Sequence, residues 1–369
     1  MRIGVITHLL RLNYGGILQA YALQRVLQDM GHDVVYINWM PYKYELPSLK
    51  VYFRRFLWKL KYLGKRDIDV FFDFDFRYNQ AYKKINKFAK KNICIFPIDS
   101  FEQLCEDDFD VIVVGSDQIW RPVYIDNIED AYLQFAKDWD VKRIAYAASF
   151  GVDDWSEYSD EQTAVCSDLA KRFDAISVRE DSGVELCRNY LGVDAQHVLD
   201  PTMLVDVKHY MRHINGCKKR YPNSMCLAYI LDESDDKSQL LHTIAKQCGY
   251  NIQQWEDIDM PSMKKPTVEE WLKGFHDAEF IFTDSFHGCV FSIIFNKPFI
   301  AFGNKDRGMA RFNSLLKMFS LEELLITSVE QFTPKLVDRA IARFSDDSMQ
   351  RRLNELRKSS YDFLQKALS

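Results

Sequence analysis

The sequence predicts an α/β protein of two domains facing a cleft, each a parallel sheet covered by helices, and three observations support this. Apolar strand-like runs alternate with helical patterns from the first residue, the mark of βαβ units. The alternation pauses in a polar stretch at residues 215–223 and then restarts. The composition, 47% hydrophobic and 27% charged over 369 residues, is that of a globular chain long enough for two or three cores. With 48 Lys+Arg against 53 Asp+Glu the net charge is −5, which fits neither general disorder nor a uniformly basic nucleic-acid binder.

Ile3–Thr7 reads as the first strand, Asn13-Tyr14-Gly15-Gly16 as a tight turn, and Ala20, Leu23, Leu27 and Met30 as one helical face ended by Gly31. Asp33–Asn38 returns as a strand, and further strands are expected at Val111–Val114, Ile144–Ala148, Ala175–Val178 and His197–Leu199. Ser100-x-x-Gln103 and Ser159-x-x-Gln162 have the form of capping boxes opening two of the helices. The polar segment from Asn215 to Asn223 suits a domain hinge. Beyond it, strands are expected at Met225–Leu231, Asn251–Trp255, Phe280–Thr283 and Phe299–Phe302, with Thr267-x-x-Glu270 capping a helix between them. Thr333-Pro334 opens a helical remainder running to Leu368. The expected domains are therefore 1–214 and 215–332, with helices of 333–369 packing back on the first.

No stretch reaches the roughly 18 uncharged apolar residues that span a bilayer; the run near 279–303 is broken by Asp284, His287 and Lys297. Met1–Thr7 is too short for a signal core, so the expected location is cytoplasmic. Eight scattered cysteines without a Cys-x-x-Cys pair point to reduced thiols. Residues 41–95 carry 14 Lys+Arg against 5 Asp+Glu. Within that insertion Phe53, Phe56, Leu57, Leu60 and Leu63 recur at helical spacing among basic residues. Such a helix suits peripheral contact with an anionic membrane at its inner face, or else packs by that stripe with a solvated basic face.

Four segments place chemistry-bearing residues at strand ends. Asn13, Gly15 and Gly16 sit where a strand meets a helix and a backbone can approach an anion, although glycines there also serve chain reversal alone. Ser116 and Asp117 follow a buried strand and point into the crevice, or cap the next turn. Arg179 ends another strand, where a guanidinium can clamp a carboxylate or phosphate, or pair with Glu180 or Asp181. Thr283-Asp284-Ser285-Phe286-His287-Gly288 is the strongest local signal: a histidine on a polar turn between apolar elements, suited to proton transfer near neutral pH or to capping that turn. Downstream, Lys305, Arg307 and Arg311 form a cationic group. His209 and His213 lie four apart on a helix, but without a third ligand they indicate no metal site. The triplets Asp73-Phe74-Asp75 and Asp257-Ile258-Asp259 read as surface.

Taken in order, Asn13-Tyr14-Gly15-Gly16, Gly115–Trp120, Val178-Arg179-Glu180, Leu199-Asp200-Pro201 and Thr283–Gly288 resemble the polysaccharide pyruvyl transferase family. The resemblance implies two Rossmann-like domains in a GT-B-like glycosyltransferase architecture, with the site between them and no metal or other cofactor. It implies phosphoenolpyruvate as co-substrate, whose enolpyruvyl unit passes to two hydroxyls of a sugar as a pyruvate ketal, releasing phosphate. The acceptor is then a saccharide of a bacterial surface polysaccharide, capsule or exopolysaccharide, or a lipid-linked precursor. In that scheme His287 is the general acid, with Asp117, Asp200 or Asp284 orienting it or taking the hydroxyl proton. Arg179, Arg307 and Arg311 hold the donor, helped by Ser116, Ser285, Gly288, Asn13, Gly15 and Gly16. Many members of the family carry arginine two residues before this histidine; here that position is Ser285. The departure keeps two alternatives in view: a glycosyltransferase of the same architecture using a nucleotide sugar, and a non-catalytic glycan-binding protein whose aromatic side chains stack on sugars.

Overall fold

The computed structural model describes residues 1–8, 13–38, 83–255, 265–303 and 308–369. The basic helix expected near 53–65, both aspartate triplets, Lys305 and Arg307 lie outside these residues.

Strand β1 (Arg2–Ile6) leads into helix α1 (Tyr14–Asp29) and strand β2 (Asp33–Asn38). Helix α2 (residues 83–92) follows, then β3 (Ile95–Pro97), β4 (Val111–Val114), β5 (Lys142–Ala148), α3 (Asp160–Ala170), β6 (Ala175–Val178), α4 (Asp181–Leu186) and β7 (Gln196–His197). These strands form one sheet of seven in the order β3-β2-β1-β4-β5-β6-β7, with every pairing parallel. All four residues of β4 are buried, as a central strand covered on both faces requires. Helices α5 (Pro201–Leu204) and α6 (Val207–Asn215) close this half.

The second half runs β8 (Met225–Tyr229), α7 (Asp235–Cys248), β9 (Asn251–Gln254), α8 (Val268–Asp277), β10 (Phe280–Thr283), α9 (Phe286–Ile294), β11 (Phe299–Phe302), α10 (Ala310–Met318) and β12 (Leu325–Ile326). Its five parallel strands are ordered β12-β11-β10-β8-β9. Helices α11 (Pro334–Arg343) and α12 (Ser348–Leu368) complete the chain. Helix α12 returns to the first half: the Ser360 hydroxyl accepts from Leu199 N–H at 3.0 Å, and Arg357 donates to the carbonyls of Met203 and Val205. The chain thus passes between the halves twice, at residues 216–224 and at 344–347. One apolar core runs from one face of the seven-stranded sheet into both faces of the second, and a separate core covers the first sheet's other face.

Some local expectations need correction. Ser100 caps no full helix: Phe101–Gln103 is a single 3-10 turn, and Gln103 instead accepts from the Asp99 N–H. Ser159 and Thr267 do form capping boxes with Gln162 and Glu270. The helical remainder is two helices, split at Phe344–Asp347, because Phe344 turns in to be buried. The edge strands β3 and β12 were not expected; at three and two residues they are too short to show an alternating pattern. All eight cysteines are free. No helix among the described residues is long and apolar enough to cross a membrane.

Candidate active site

In the first sheet β1 and β4 are neighbours, and the chain winds outward from them in opposite directions. The carboxyl ends of such a pair open into a crevice. Thr7 follows β1 and Ser116-Asp117 follow β4; Arg179 follows β6, and Asp200 follows β7 by three residues. From the second sheet, the turn after β10 brings Ser285 and His287 to the same crevice.

Arg179 is the centre of the cluster. Its guanidinium donates to Asp200 Oδ2 at 2.9 Å and to Asp117 Oδ1 at 3.1 Å, and its carbon lies 4.6 Å from the Phe286 ring centroid. The ion-pair partners are thus neither Glu180 nor Asp181, the two offered by sequence proximity; each terminal nitrogen donates once to a carboxylate, and Nε makes no hydrogen bond. Glu180 points the other way, its Oε1 accepting from Ser149 Oγ and from the N–H groups of Phe150 and Gly151. Asp200 is further held by Ser116 Oγ at 3.2 Å and by the Thr202 hydroxyl and N–H. His287 Nε2 stands 3.6 Å from Asp200 Oδ2, an ion-pair distance too long for a hydrogen bond, and makes none while buried. Arg311, at the start of α10, is buried with its guanidinium carbon 5.5 Å from the same Phe286 ring.

Burial alone would raise the carboxyl pKa of Asp117, but Arg179, His8, His287 and Arg311 together hold it well below the ordinary range. Asp200 behaves alike: desolvation opposes ionisation, and His287, Arg179 and Thr202 overcome it. For Arg311 burial wins, reinforced by Arg179, and its pKa falls to about 10. It stays cationic at neutral pH. Asp117 has a backbone φ of 74°, left-handed for a residue with a Cβ, and is held there by bonding with Ser149 across a bridge to Ala148. Strain of this kind, of order 1–3 kcal/mol, is tolerated where the surroundings over-determine it.

The turn at Asn13 completes the floor. Asn13 caps α1 by accepting from Gly16 N–H at 3.2 Å. Gly15 lies directly under the imidazole: a Cβ at Gly15 would stand 2.0 Å from His287 Nδ1. A Cβ at Gly16 would stand 3.7 Å from Asp117 Oδ2. The first turns of α1 and α9, one from each half, therefore meet at His287, and the positive ends of two helix dipoles converge there. Ser285 sits at the N-cap of α9 with its N–H donating to Thr283 Oγ1, and Gly288 packs against Thr283, where a Cβ would come within 2.1 Å of that oxygen.

Among the predicted site residues, His287, Asp117, Asp200, Ser116, Arg179, Arg311, Gly15 and Gly16 are brought together. Asp284 is placed in a different network: its carboxylate accepts from the N–H groups of Leu231 and Asp232 and from Lys237 Nζ at 2.8 Å, tying the end of β10 to the turn after β8. Arg307 lies outside the described residues. His209 and His213 do not face one another over a shared ligand; His213 bonds to the Tyr21 hydroxyl at 3.2 Å, inside a nest of aromatic rings. Sequence reasoning missed Phe286 as the ring lying beneath both guanidinium groups. It also missed Tyr14, which crosses to the second half to stack on Trp271 at 5.5 Å and donate to the Pro266 carbonyl. An aromatic residue inside a glycine turn was the available signal for Tyr14; Phe286 carried none apart from its neighbour.

Two parallel α/β domains with a charged cluster at their joint define the GT-B-like class. In fold the chain is similar to a putative UDP-N-acetylglucosamine 2-epimerase from Listeria monocytogenes, with a TM-score of 0.52 and 10% identity over 96% of this chain and 91% of that one. It is also similar to the UDP-GlcNAc 2-epimerase from Neisseria meningitidis, with a TM-score of 0.50 and 8% identity over 99% and 100% of the two chains. No curated protein matches the sequence. Residues 13–306, most of the chain, match the family described as polysaccharide pyruvyl transferase, and the chain belongs to that family.

Proposed function

We propose that this protein transfers the enolpyruvyl unit of phosphoenolpyruvate to two hydroxyls of a saccharide, leaving a pyruvate ketal and releasing phosphate. The observation that carries the reading is His287: a buried imidazole with an unbonded Nε2, backed by the ionised Asp200 and set where two helix N-termini meet. A protonated imidazole donates to the methylene carbon of the donor as a sugar hydroxyl attacks the adjacent carbon, and the hydroxyl proton passes to a base. The second hydroxyl then displaces phosphate, the new C–O bond forming as the bond to phosphate breaks and the hydroxyl proton returning to the neutral imidazole, which closes the ketal. Arg179 is paired with two carboxylates, and in this reading it positions Asp117 and Asp200. The donor's carboxylate and phosphate fall to Arg311 and to the amides at the two helix N-termini. Arg311 thereby stands in for the arginine that Ser285 replaces.

The test is calorimetry of phosphoenolpyruvate binding to wild type and Arg311→Ala, beside a panel of nucleotide sugars. Saturable binding at least tenfold weaker in the variant supports the reading. No binding of phosphoenolpyruvate, with a nucleotide sugar bound instead, overturns it in favour of glycosyl transfer. If the acceptor is lipid-linked, the basic segment near residues 50–66 brings the protein to the anionic membrane face, and failure to float with anionic liposomes removes that part.

A further inference from the structure

Beside the His287 cluster, the chain displays an aromatic ring that the mechanism above does not use. Residues 118–125 leave the strand end at Asp117 and are anchored at both ends. Trp120 is fully buried, donates through Nε1 to the Ala131 carbonyl and stacks on Tyr132; Ile125 is 4% exposed. Between those anchors the turn Pro122–Tyr124 holds Val123 and Tyr124 outward, 60% and 48% exposed. Pro122 fixes the backbone, and the Tyr124 and Ile125 N–H groups bond back to the carbonyls of Arg121 and Pro122.

The ring is held from one side by charge. The Arg121 guanidinium carbon lies 5.0 Å from the Tyr124 centroid, and its NH1 donates to the Tyr124 hydroxyl at 3.3 Å. That guanidinium is locked by a two-pronged bond to Glu157, at 2.8 and 3.1 Å, and by Gln118 Oε1 at 3.2 Å. His8, which follows β1 at the crevice, meets the ring edge-on at 6.1 Å. Tyr190, 44% exposed, differs in that its ring lies flat on Trp155.

We infer that Tyr124 is the stacking platform for the acceptor saccharide, at the rim of the cleft next to the Asp117–His287 cluster. The inference rests on the saccharide acceptor of the reading above and adds where that acceptor lies. A pyranose presents an apolar face of C–H groups with a rim of hydroxyls. The rim here matches both: an exposed ring already held in one orientation, and the partly exposed Glu157 carboxylate beside it as a hydroxyl acceptor. The patch is electrically balanced, because Glu157 neutralises Arg121, so it does not select a phosphate or carboxylate. Two apolar side chains offer too little area for a protein partner. Its continuity with Asp117 through Gln118 sets a stacked sugar against the proton-transfer groups.

The test uses saturation-transfer NMR with the methyl glycosides of glucose, galactose, mannose and N-acetylglucosamine on wild type, Tyr124→Ala and Tyr124→Phe, with phosphoenolpyruvate binding measured separately on each. The expected result is transfer to at least one glycoside in wild type, affinity about tenfold weaker in Tyr124→Ala and retained in Tyr124→Phe, and donor affinity unchanged by either. No glycoside binding to wild type, or equal binding by Tyr124→Ala, overturns the inference. Tyr124-dependent glycoside binding without phosphoenolpyruvate binding sinks the donor reading and leaves the platform standing.

Discussion

Gly15 leaves no room for a side chain under His287, since a Cβ would sit 2.0 Å from Nδ1. Gly15→Ala must push the imidazole or the first turn of α1 aside, at a cost of about 1–3 kcal/mol. The expected outcome is a lower thermal midpoint together with loss of the proposed ketal formation, whereas Gly31→Ala, where a Cβ meets nothing but φ is +90°, should lower the midpoint alone. His287→Asn should cost at least about a hundredfold in turnover while phosphoenolpyruvate binding persists; unchanged turnover would remove His287 from its role. Asp117 carries a pH signature. Burial raises its pKa, but Arg179 and the other cations bring the folded value below the unfolded one of about 3.9. Its contribution is therefore complete above about pH 4 and is lost as pH falls from there toward the folded value. Asp117→Asn should lower stability at neutral pH and flatten the acid limb of a denaturation series. The sequence showed these residues as polar groups at strand ends, but not their pairing: Arg179 reaches partners 21 and 62 positions away, while spacing alone offered Glu180 and Asp181.

At the scale of elements, the joint between the halves depends on α1 and on the turn after β10. Tyr14, the first residue of α1, is 1% exposed although it belongs to the other half from the Trp271 it stacks on. Tyr14→Ala should cost about 3–5 kcal/mol, and Tyr14→Phe only about 1, the worth of its bond to Pro266. Calorimetry should show the Ala variant separating into two melting transitions; a single unshifted transition would show that the stack does not couple the halves. Asp284→Ala strands Lys237, buried, and two N–H groups, and should destabilise by about 3–5 kcal/mol. The elements themselves were largely legible, because doubly covered parallel strands read as apolar runs and Ser159 and Thr267 announce their helices. Ser100 was misleading because its box precedes no apolar helical stripe, only one tight turn.

For the whole molecule, the two-domain plan followed from alternation and one polar interruption, but the packing of the halves on each other did not, since it rests on side chains far apart in sequence such as Tyr14 with Trp271 and Gly15 with His287. The return of α12 is an example with a measurable effect. Ending the chain at residue 347 removes the bonds of Arg357, Ser360 and Tyr361 to residues 199–205 and uncovers the apolar surface that the buried Leu353 and Leu364 cover. The truncated protein should bind a hydrophobic dye and lose cooperative melting; retention of one sharp transition would show that the helix is dispensable. The same return path limits how the molecule opens. A body joined to another by two crossings turns most easily about the line between them, as a door turns on a pair of pins. A swing about that line would carry His287 away from Gly15 and Asp200 together, since both lie in the other half. On the proposed reaction, a donor that entered while the door stood open would meet water with no acid beside it.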